Sequence, residues 1–437
     1  MTEIAALKFG DLLASPPEYG ANATALPPDG VSPRYLRITD IDDAGRLLHD
    51  DVKSISVAVA KPYLLCQNDI VIARTGNTVG KSYLHDKRNG PLAFAGYLVR
   101  FRIDPDKAEP EFIFQFLHSP NYYAWVQRTL RTGAQPNINA AEYKRLNIPP
   151  FTPAEQRRIA EILGTVDEAI EQTEALVQKW QQMKAGLMHD LFTRGVTPDG
   201  QLRPTRAQAP QLYKQSPLGW IPKEWEVARL KDKAQEDKSH IKTGPFGSSL
   251  KGEHWVQQGH PVITIGALGE GELLPEGLLF VSPFTVSRLH DYQLAVGDVV
   301  FSRVADVGRS AVIEAEHAGW IMSSNLMRIS LNPCLVEPRY LQSQFASDFR
   351  LKAQIRTSVN SGGRDVANGQ ILNKLLFVWP PHDEQILALT RMQALDSYRR
   401  TLVSRVAKLR AQKQGLMQDL LTGRVPVRGA GPAAAKV

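Results

Sequence analysis

One segment returns after 229 residues, and that repeat limits what the chain can become. The stretch 152–195, TPAEQRRIAEILGTVDEAIEQTEALVQKWQQMKAGLMHDLFTRG, reappears at 383–424 as DEQILALTRMQALDSYRRTLVSRVAKLRAQKQGLMQDLLTGR. Adding 229 carries Glu155, Gln156, Asp167, Lys184, Gly186, Leu187, Met188, Asp190, Leu191 and Thr193 onto Glu384, Gln385, Asp396, Lys413, Gly415, Leu416, Met417, Asp419, Leu420 and Thr422, with no gap. Self-similarity at one offset predicts two like structural units.

Each copy reads as one long helix. Thr152 and Glu155 form a capping-box pattern with Pro153 at the first helical position, and Gly195 with Pro198 beyond it marks the stop. About 40 helical residues would span about 60 Å at about 1.5 Å per residue. A helix that long needs a partner for its apolar stripe. Steps of three and four give the seam Leu163, Val166, Ile170, Thr173, Val177, Trp180, Lys184, Leu187, Leu191 in the first copy. The second copy gives Met392, Leu395, Arg399, Leu402, Val406, Leu409, Lys413, Leu416, Leu420. Residues 153–192 carry four basic and seven acidic side chains, and residues 382–421 carry seven and four. Opposite net charges favour pairing the two helices with each other as a coiled coil. The alternative is two amphipathic helices, each lying on its own domain.

The order of segments favours an antiparallel coil. Expected boundaries are a first globular block at 1–151, helix one at 152–195, a polar Pro- and Gln-rich linker at 196–217, a second block at 218–381, helix two at 382–424 and a disordered tail at 425–437. The second block joins the end of helix one to the start of helix two, so those points are neighbours in an antiparallel pair. Such a pair sets the two units about a pseudo-two-fold axis with one block at each end.

The blocks read as α+β. In the first, YLRITDI (35–41), SISVAVA (54–60), DIVIAR (69–74) and LAFAGYLVRFRI (92–103) have strand character. PEFIFQFLHSPNYYAWVQRTL (110–130) reads as one or two helices, followed by a polar loop at 131–139 and a strand-like LNIPPF at 146–151. The second block follows the same outline. PVITIGAL (261–268) matches 35–41, GDVVFSRVADVGRSAV (297–312) matches 68–84, EPRYLQSQF (337–345) matches EPEFIFQFL (109–117), and LLFVWPP (375–381) stands where LNIPP stood.

Charge sets a limit on function. The net charge of +7 points weakly to a polyanion. Residues 1–152 hold 17 basic and 16 acidic groups, and residues 193–381 hold 21 and 18, so any nucleic-acid surface must be a local patch. Cys66 and Cys334 cannot build a disulfide framework or metal cluster, and a reducing cytoplasm is the expected compartment. No signal peptide or membrane span is expected, because no run reaches about 18 apolar residues.

TGNTVGKS (75–82) follows a strand and looks like a phosphate-binding loop, but its first Gly is at 76, one residue too close to Gly80-Lys81-Ser82. What the two blocks share is an Arg ending a strand (Arg74, Arg303) and a Gly-basic-Ser turn (Lys81, Ser82; Arg309, Ser310). A basic residue on such a turn suits a phosphate or base-edge contact, and a plain hairpin turn is the alternative. The loop candidates are Arg131, Gln135, Asn137 and Asn139, and in the second block Arg356, Asn360, Arg364 and Asn368. Arg can read guanine and Asn or Gln adenine, and a polar connector capping the next element is the alternative. TGPFGSSLK (243–251) adds Ser248 and Lys251 as phosphate candidates. Methyltransferase, zinc and hydrolase signatures are lacking: Ile-Pro-Pro-Phe (148–151) has no Asn in the place of its Ile.

The repeat, IPPFTPAEQRRIAEIL, LMHDLFTRGV, SPLGWIPKEWEVARLKD and KTGPFGSSLK together resemble the specificity (S) subunit of type I restriction–modification systems over almost the whole chain. The resemblance implies two target recognition domains, each reading half of a bipartite asymmetric site in double-stranded DNA. It implies helices that act as conserved spacers and dock two modification (methyltransferase) subunits, which restriction (translocase/nuclease) subunits then join. It implies no cofactor and no catalysis in this chain, with S-adenosylmethionine, ATP and Mg on the partners. PPHDEQ is two residues shorter than PPFTPAEQ, a departure that bears on the start of helix two. Two other readings remain open here: a nucleotide-using or DNA-modifying enzyme with drifted motifs, and a coiled-coil partner protein that never touches DNA.

Overall fold

The computed structural model of the chain describes residues 7–130, 136–236, 238–246, 249–269, 271–304, 307–360 and 366–427. It divides into two compact units, Met1–Ala175 with Leu402–Val437, and Leu176–Thr401. Of the expected tail at 425–437, residues 428–437 lie outside the described residues. Val427, just before it, packs against the core of unit 1.

In unit 1 four strands form one antiparallel sheet: β1 (Glu18–Tyr19), β2 (Ile70–Ala73), β3 (Ser82–Leu84) and β4 (Leu98–Phe101), in the order β1-β4-β2-β3. Helices α1 (Pro110–Phe116) and α2 (Pro120–Thr129) follow, divided at Ser119, whose hydroxyl accepts from Tyr122 N–H at 3.2 Å as the cap of α2. The long helix α3 spans Pro153–Thr193. Thr152 and Glu155 make the expected capping box, at 3.3 Å and 2.8 Å.

Unit 2 repeats this topology. Its strands β5 (Ile241–Thr243), β6 (Val299–Ser302), β7 (Ser310–Val312) and β8 (Leu326–Ile329) run in the order β5-β8-β6-β7, all antiparallel. Helices α4 (Pro338–Ser347) and α5 (Phe349–Asn360) follow, then the long helix α6, His382–Leu420. Both units also pair strands in parallel beside the main sheet, Arg34–Leu36 with Leu92–Phe94 and His260–Ile263 with Ile321–Met322. The shorter PPHDEQ segment leaves the helix start in place, since Pro153 plus 229 is His382.

The long helices run antiparallel within each unit. In unit 1, Asp167 on α3 pairs with Lys413 on α6 at 2.7 Å, and Glu174 with Arg410 at 2.6 Å. In unit 2, Trp180 meets the Tyr398 ring with centroids 4.7 Å apart, and Lys184 pairs with Asp396 at 2.6 Å. In both units the number rises along one helix as it falls along the other. The two Lys–Asp pairs are repeat equivalents, each joining one helix to the opposite one, so the shared Lys and Asp serve as cross-helix ties. None of the eighteen seam positions is fully exposed, including Lys184, Arg399 and Lys413.

The recurring Leu-Met-x-Asp-Leu signature has a packing cause. Met188, Leu191 and Phe192 at the end of α3 share a core cluster with Tyr340 on α4 and Ala388, Leu389 and Met392 on α6. The repeat equivalents Met417, Leu420 and Leu421 share one with Phe112 on α1 and Ile159, Ala160 and Leu163 on α3. Gln156 and Gln385 are likewise used alike. Each is fully buried and accepts from the backbone N–H before a sheet-packing helix, Glu109 N or Glu337 N, at 2.9 Å.

Several expectations need correcting. SISVAVA is not a strand: Val57–Ala60 is a short helix, with Val57 and Val59 on its exposed side. LAFAGYLVRFRI is two strands broken at Gly96, not one. Segment 196–217 is not a loose linker. Arg203, Ala209 and Tyr213 are buried, and Tyr213–Ser216 forms a hairpin with Gly219–Pro222. Arg356 to Asn360 belong to α5 rather than to a loop.

Candidate nucleic-acid interface

The strand-ending arginines sit at equivalent places in the two sheets. Arg74 lies over the Tyr19 ring at 4.8 Å, and Arg303 over the Phe246 ring at 5.2 Å. Their carbonyls anchor the polar segments that follow the sheet-packing helices: Ile138 N–H donates to Arg74 O at 2.9 Å, and Ala367 N–H to Arg303 O at 2.8 Å. Thr75 bridges Asn137, and Val304 bridges Val366. Each pair is again offset by 229. Each unit thus brings together an arginine stacked on an aromatic ring, a Gly-basic turn and a polar segment.

The frame is shared, but the side chains placed in it differ. Lys81 in unit 1 is partly buried, donates to Ile41 O at 3.1 Å and pairs with the exposed Asp43 carboxylate at 2.8 Å, which holds Asp43 below the usual carboxylate range. Arg309 in unit 2 likewise donates to the carbonyl at the matching place, Leu268 O at 2.9 Å, and is also partly buried. Asn137 is exposed, and its equivalent is the apolar Val366. Arg356 is exposed on α5, and Lys251 is exposed beside Glu253 at 3.1 Å.

Some candidates turn out to be structural. Ser82 and Ser310 are buried strand residues, which takes their hydroxyls out of any contact surface. Asn139 caps Ala140–Tyr143, accepting from Glu142 N–H at 2.9 Å, and Asn368 accepts from Ile371 N–H at 2.9 Å. The amide that could read adenine is used to end an orphaned helix turn. Arg131, Gln135, Ser248, Arg364 and the Asn360 side chain lie outside the described residues.

Each unit has a groove where its small helices meet a long one. In unit 2 it has a volume of about 830 Å³, and α3 lines it with Gln181, Lys184, Ala185 and Met188. In unit 1 it has a volume of about 930 Å³, and α6 lines it with Arg410, Lys413, Gln414 and Met417, the repeat equivalents. Their chemistry diverges. The unit 2 groove is lined by Lys184, Arg309, Lys352 and Arg356, and no carboxylate is among its described lining residues. The unit 1 groove has Asp43, Asp86, Asp167, Glu168, Glu171 and Glu174 against Arg46, Arg88, Arg410 and Lys413. It also has His118, whose Nδ1 meets Phe114 O at 2.9 Å and whose Nε2 is shut away from solvent. Desolvation brings this imidazole down to about 4, against the opposing pull of the Phe114 carbonyl.

Lys352, Tyr19 and Phe246 were not candidates from sequence. Lys352 and Arg356 are four apart on α5, and that spacing was the available signal. The aromatic partners lie 55 and 57 residues before their arginines, Tyr19 to Arg74 and Phe246 to Arg303, so no local pattern marks them.

A family model described as the type I restriction modification DNA specificity domain matches residues 43–179 and 222–406. The chain is similar to the type I restriction enzyme MjaVIII specificity subunit of Methanocaldococcus jannaschii, 22% identical over 413 residues, covering 92% of this chain and 84% of that protein. It is also similar to the EcoKI specificity subunit of Escherichia coli, 24% identical over 366 residues, covering 81% and 73%. Among solved structures, the S subunit of a type I restriction–modification system from M. genitalium superposes with a TM-score of 0.56 at 15% identity, covering 96% of this chain and 97% of that one. A chain solved in work on complex assembly and conformational transition of the type I R-M system gives a TM-score of 0.57 at 16% identity, covering 96% and 98%.

Proposed function

Because the chain belongs to the type I restriction modification DNA specificity family, we propose that it chooses the DNA sequence for a methylating and restricting complex and makes or breaks no bonds itself. Each unit reads one half of a bipartite, asymmetric site in double-stranded DNA. The observation that supports this most is the shared frame with different side chains in it. Arg74 and Arg303 are held alike, while Asn137 and Val366 stand at one position and differ in chemistry. Direct readout needs a fixed backbone that presents different donors and acceptors.

The long helices, common to both units, set the separation of the half-sites and dock two methyltransferase subunits. Leu176 and Met183 on α3, and Tyr398 and Val403 on α6, are large apolar side chains left exposed, which supports a protein partner there. Restriction subunits join that assembly. S-adenosylmethionine, ATP and Mg belong to those partners, and the complex works in the cytoplasm. No helix among the described residues is long and apolar enough to cross a membrane.

The test is reconstitution of the full chain with its methyltransferase subunits, followed by selection from a random duplex pool. The bound fraction converges on one split motif. Methyl transfer or ATP hydrolysis by the purified chain alone would contradict the non-catalytic role.

A further inference from the structure

The two repeat-equivalent grooves place the same four positions of a long helix, 181, 184, 185 and 188 or 410, 413, 414 and 417, against different chemistry. In unit 2, α5 turns Lys352, Ile355, Arg356 and Val359 into the groove. Lys352 and Arg356 are exposed, and neither has an ion pair or side-chain hydrogen bond among the described residues. Lys184 and Arg309 face the same space, but Lys184 is tied to Asp396 and Arg309 donates to Leu268 O. Two cations therefore stand open, and no carboxylate is among the described lining residues. The corresponding helix of unit 1, α2, turns Pro120 and Tyr123 inward instead, opposite the carboxylates of α3.

We propose that the grip on DNA phosphates is polarised. The unit 2 groove holds the phosphodiester backbone of the duplex through Lys352 and Arg356, and the equivalent groove of unit 1 does not. The inference rests on the DNA reading proposed above and adds which half supplies the sequence-independent attraction. Two open cations one helical turn apart suit successive phosphates of one strand, and phosphate contacts position a protein without reading bases. In the unit 1 groove six carboxylates outnumber four cations, so the same backbone is disfavoured there. The near-neutral charge of each block is consistent with this, since the attraction is local.

The experiment uses the full chain in complex with its methyltransferase subunits, and cognate and unrelated duplexes. Kd is measured between about 50 and 200 mM salt. Each lost phosphate contact lowers the slope of log Kd on log salt by about 0.9. K352Q/R356Q should reduce the slope by about two on both duplexes while the cognate preference stays. K352R/R356K, which keeps both charges, should retain the wild-type slope, and R88Q in the unit 1 groove should leave it unchanged. An unchanged slope in K352Q/R356Q overturns the proposal, as does an equal fall in R88Q. If K352Q/R356Q instead loses methyltransferase subunits on co-purification at constant slope, the groove holds an acidic protein segment and the proposal fails. Absence of any cognate preference in the wild type would sink the DNA reading itself, a separate result.

Discussion

Glu155 and Glu384 hold the same repeat position at the start of a long helix, yet they do different work. Glu155 is on the surface of unit 1 and closes a capping box with Thr152. Glu384 is buried in unit 2 and takes four donors: Arg203 Nη1 and Nη2 at 3.0 and 3.1 Å, Val196 N–H at 2.9 Å and Trp225 Nε1 at 3.0 Å. Gly195 is needed beside it, with φ +61° and no room for a Cβ, which would come 2.0 Å from Glu384 Oε1. Gln156 and Gln385, one residue on, both accept from the backbone N–H that precedes a sheet-packing helix. A repeat preserves residues that tie its own backbone together. It frees residues wherever the neighbouring chain differs, and in unit 2 that neighbour is the segment 196–225.

This comparison can be broken experimentally. The largest expected effect is at Glu384. E384Q removes the buried counter-ion of Arg203, leaving only the exposed Glu224 carboxylate 3.9 Å away, and should cost about 3–5 kcal/mol in denaturant unfolding. E155A removes only a cap and should cost about 1 kcal/mol. Equal losses would mean that the two positions are equivalent after all. Next come the glutamines: Q156A and Q385A should each cost about 1–3 kcal/mol, because each leaves a buried backbone N–H unpaired. A large difference between them would dissolve the shared role.

An acid-sensitive difference should separate the units. His118 lines the unit 1 groove, and Ala346 stands at the matching place in unit 2. The folded protein holds His118 neutral down to about 4, below its ordinary 6.5, so the unfolded chain binds the proton first. Stability contributed through His118 is full above about 6.5 and is lost as pH falls toward 4. H118A should flatten that limb of the stability–pH curve, and an unchanged curve would remove the imidazole from the account.

The smallest effects belong to the cross-helix ties. Asp167–Lys413 and Lys184–Asp396 are partly exposed pairs, so D167N or D396N should each cost about 0–1 kcal/mol and less at high salt. A double-mutant cycle on each pair should return the same small coupling. A coupling in only one pair would show that the repeat is uneven at its centre.

Much of the frame could be read from residues alone. The long helices announced themselves through seam spacing, Thr152–Glu155 and Gly195, because a solvent-exposed helix must solve capping and burial locally. The strands at 69–74 and 297–303 were legible as short apolar runs between turns. SISVAVA misled because its alternation mimics a strand, whereas Ser54 and Ile55 are buried and Val57 and Val59 are exposed. Arg203 was hidden in a polar stretch, since its partner Glu384 is 181 residues away. At the interface, residue type alone could not separate Asn137, which is exposed, from Asn139, which caps a helix. The same amide serves both ends, and only backbone geometry decides.

The central claim is that two separable readers share one frame. Replacing residues 1–150 with the corresponding block of another specificity subunit, and sequencing the methylome of cells that carry the complex, tests it most directly. One half of the methylated motif should change while the other half stays as it was. A change in both halves would contradict the account.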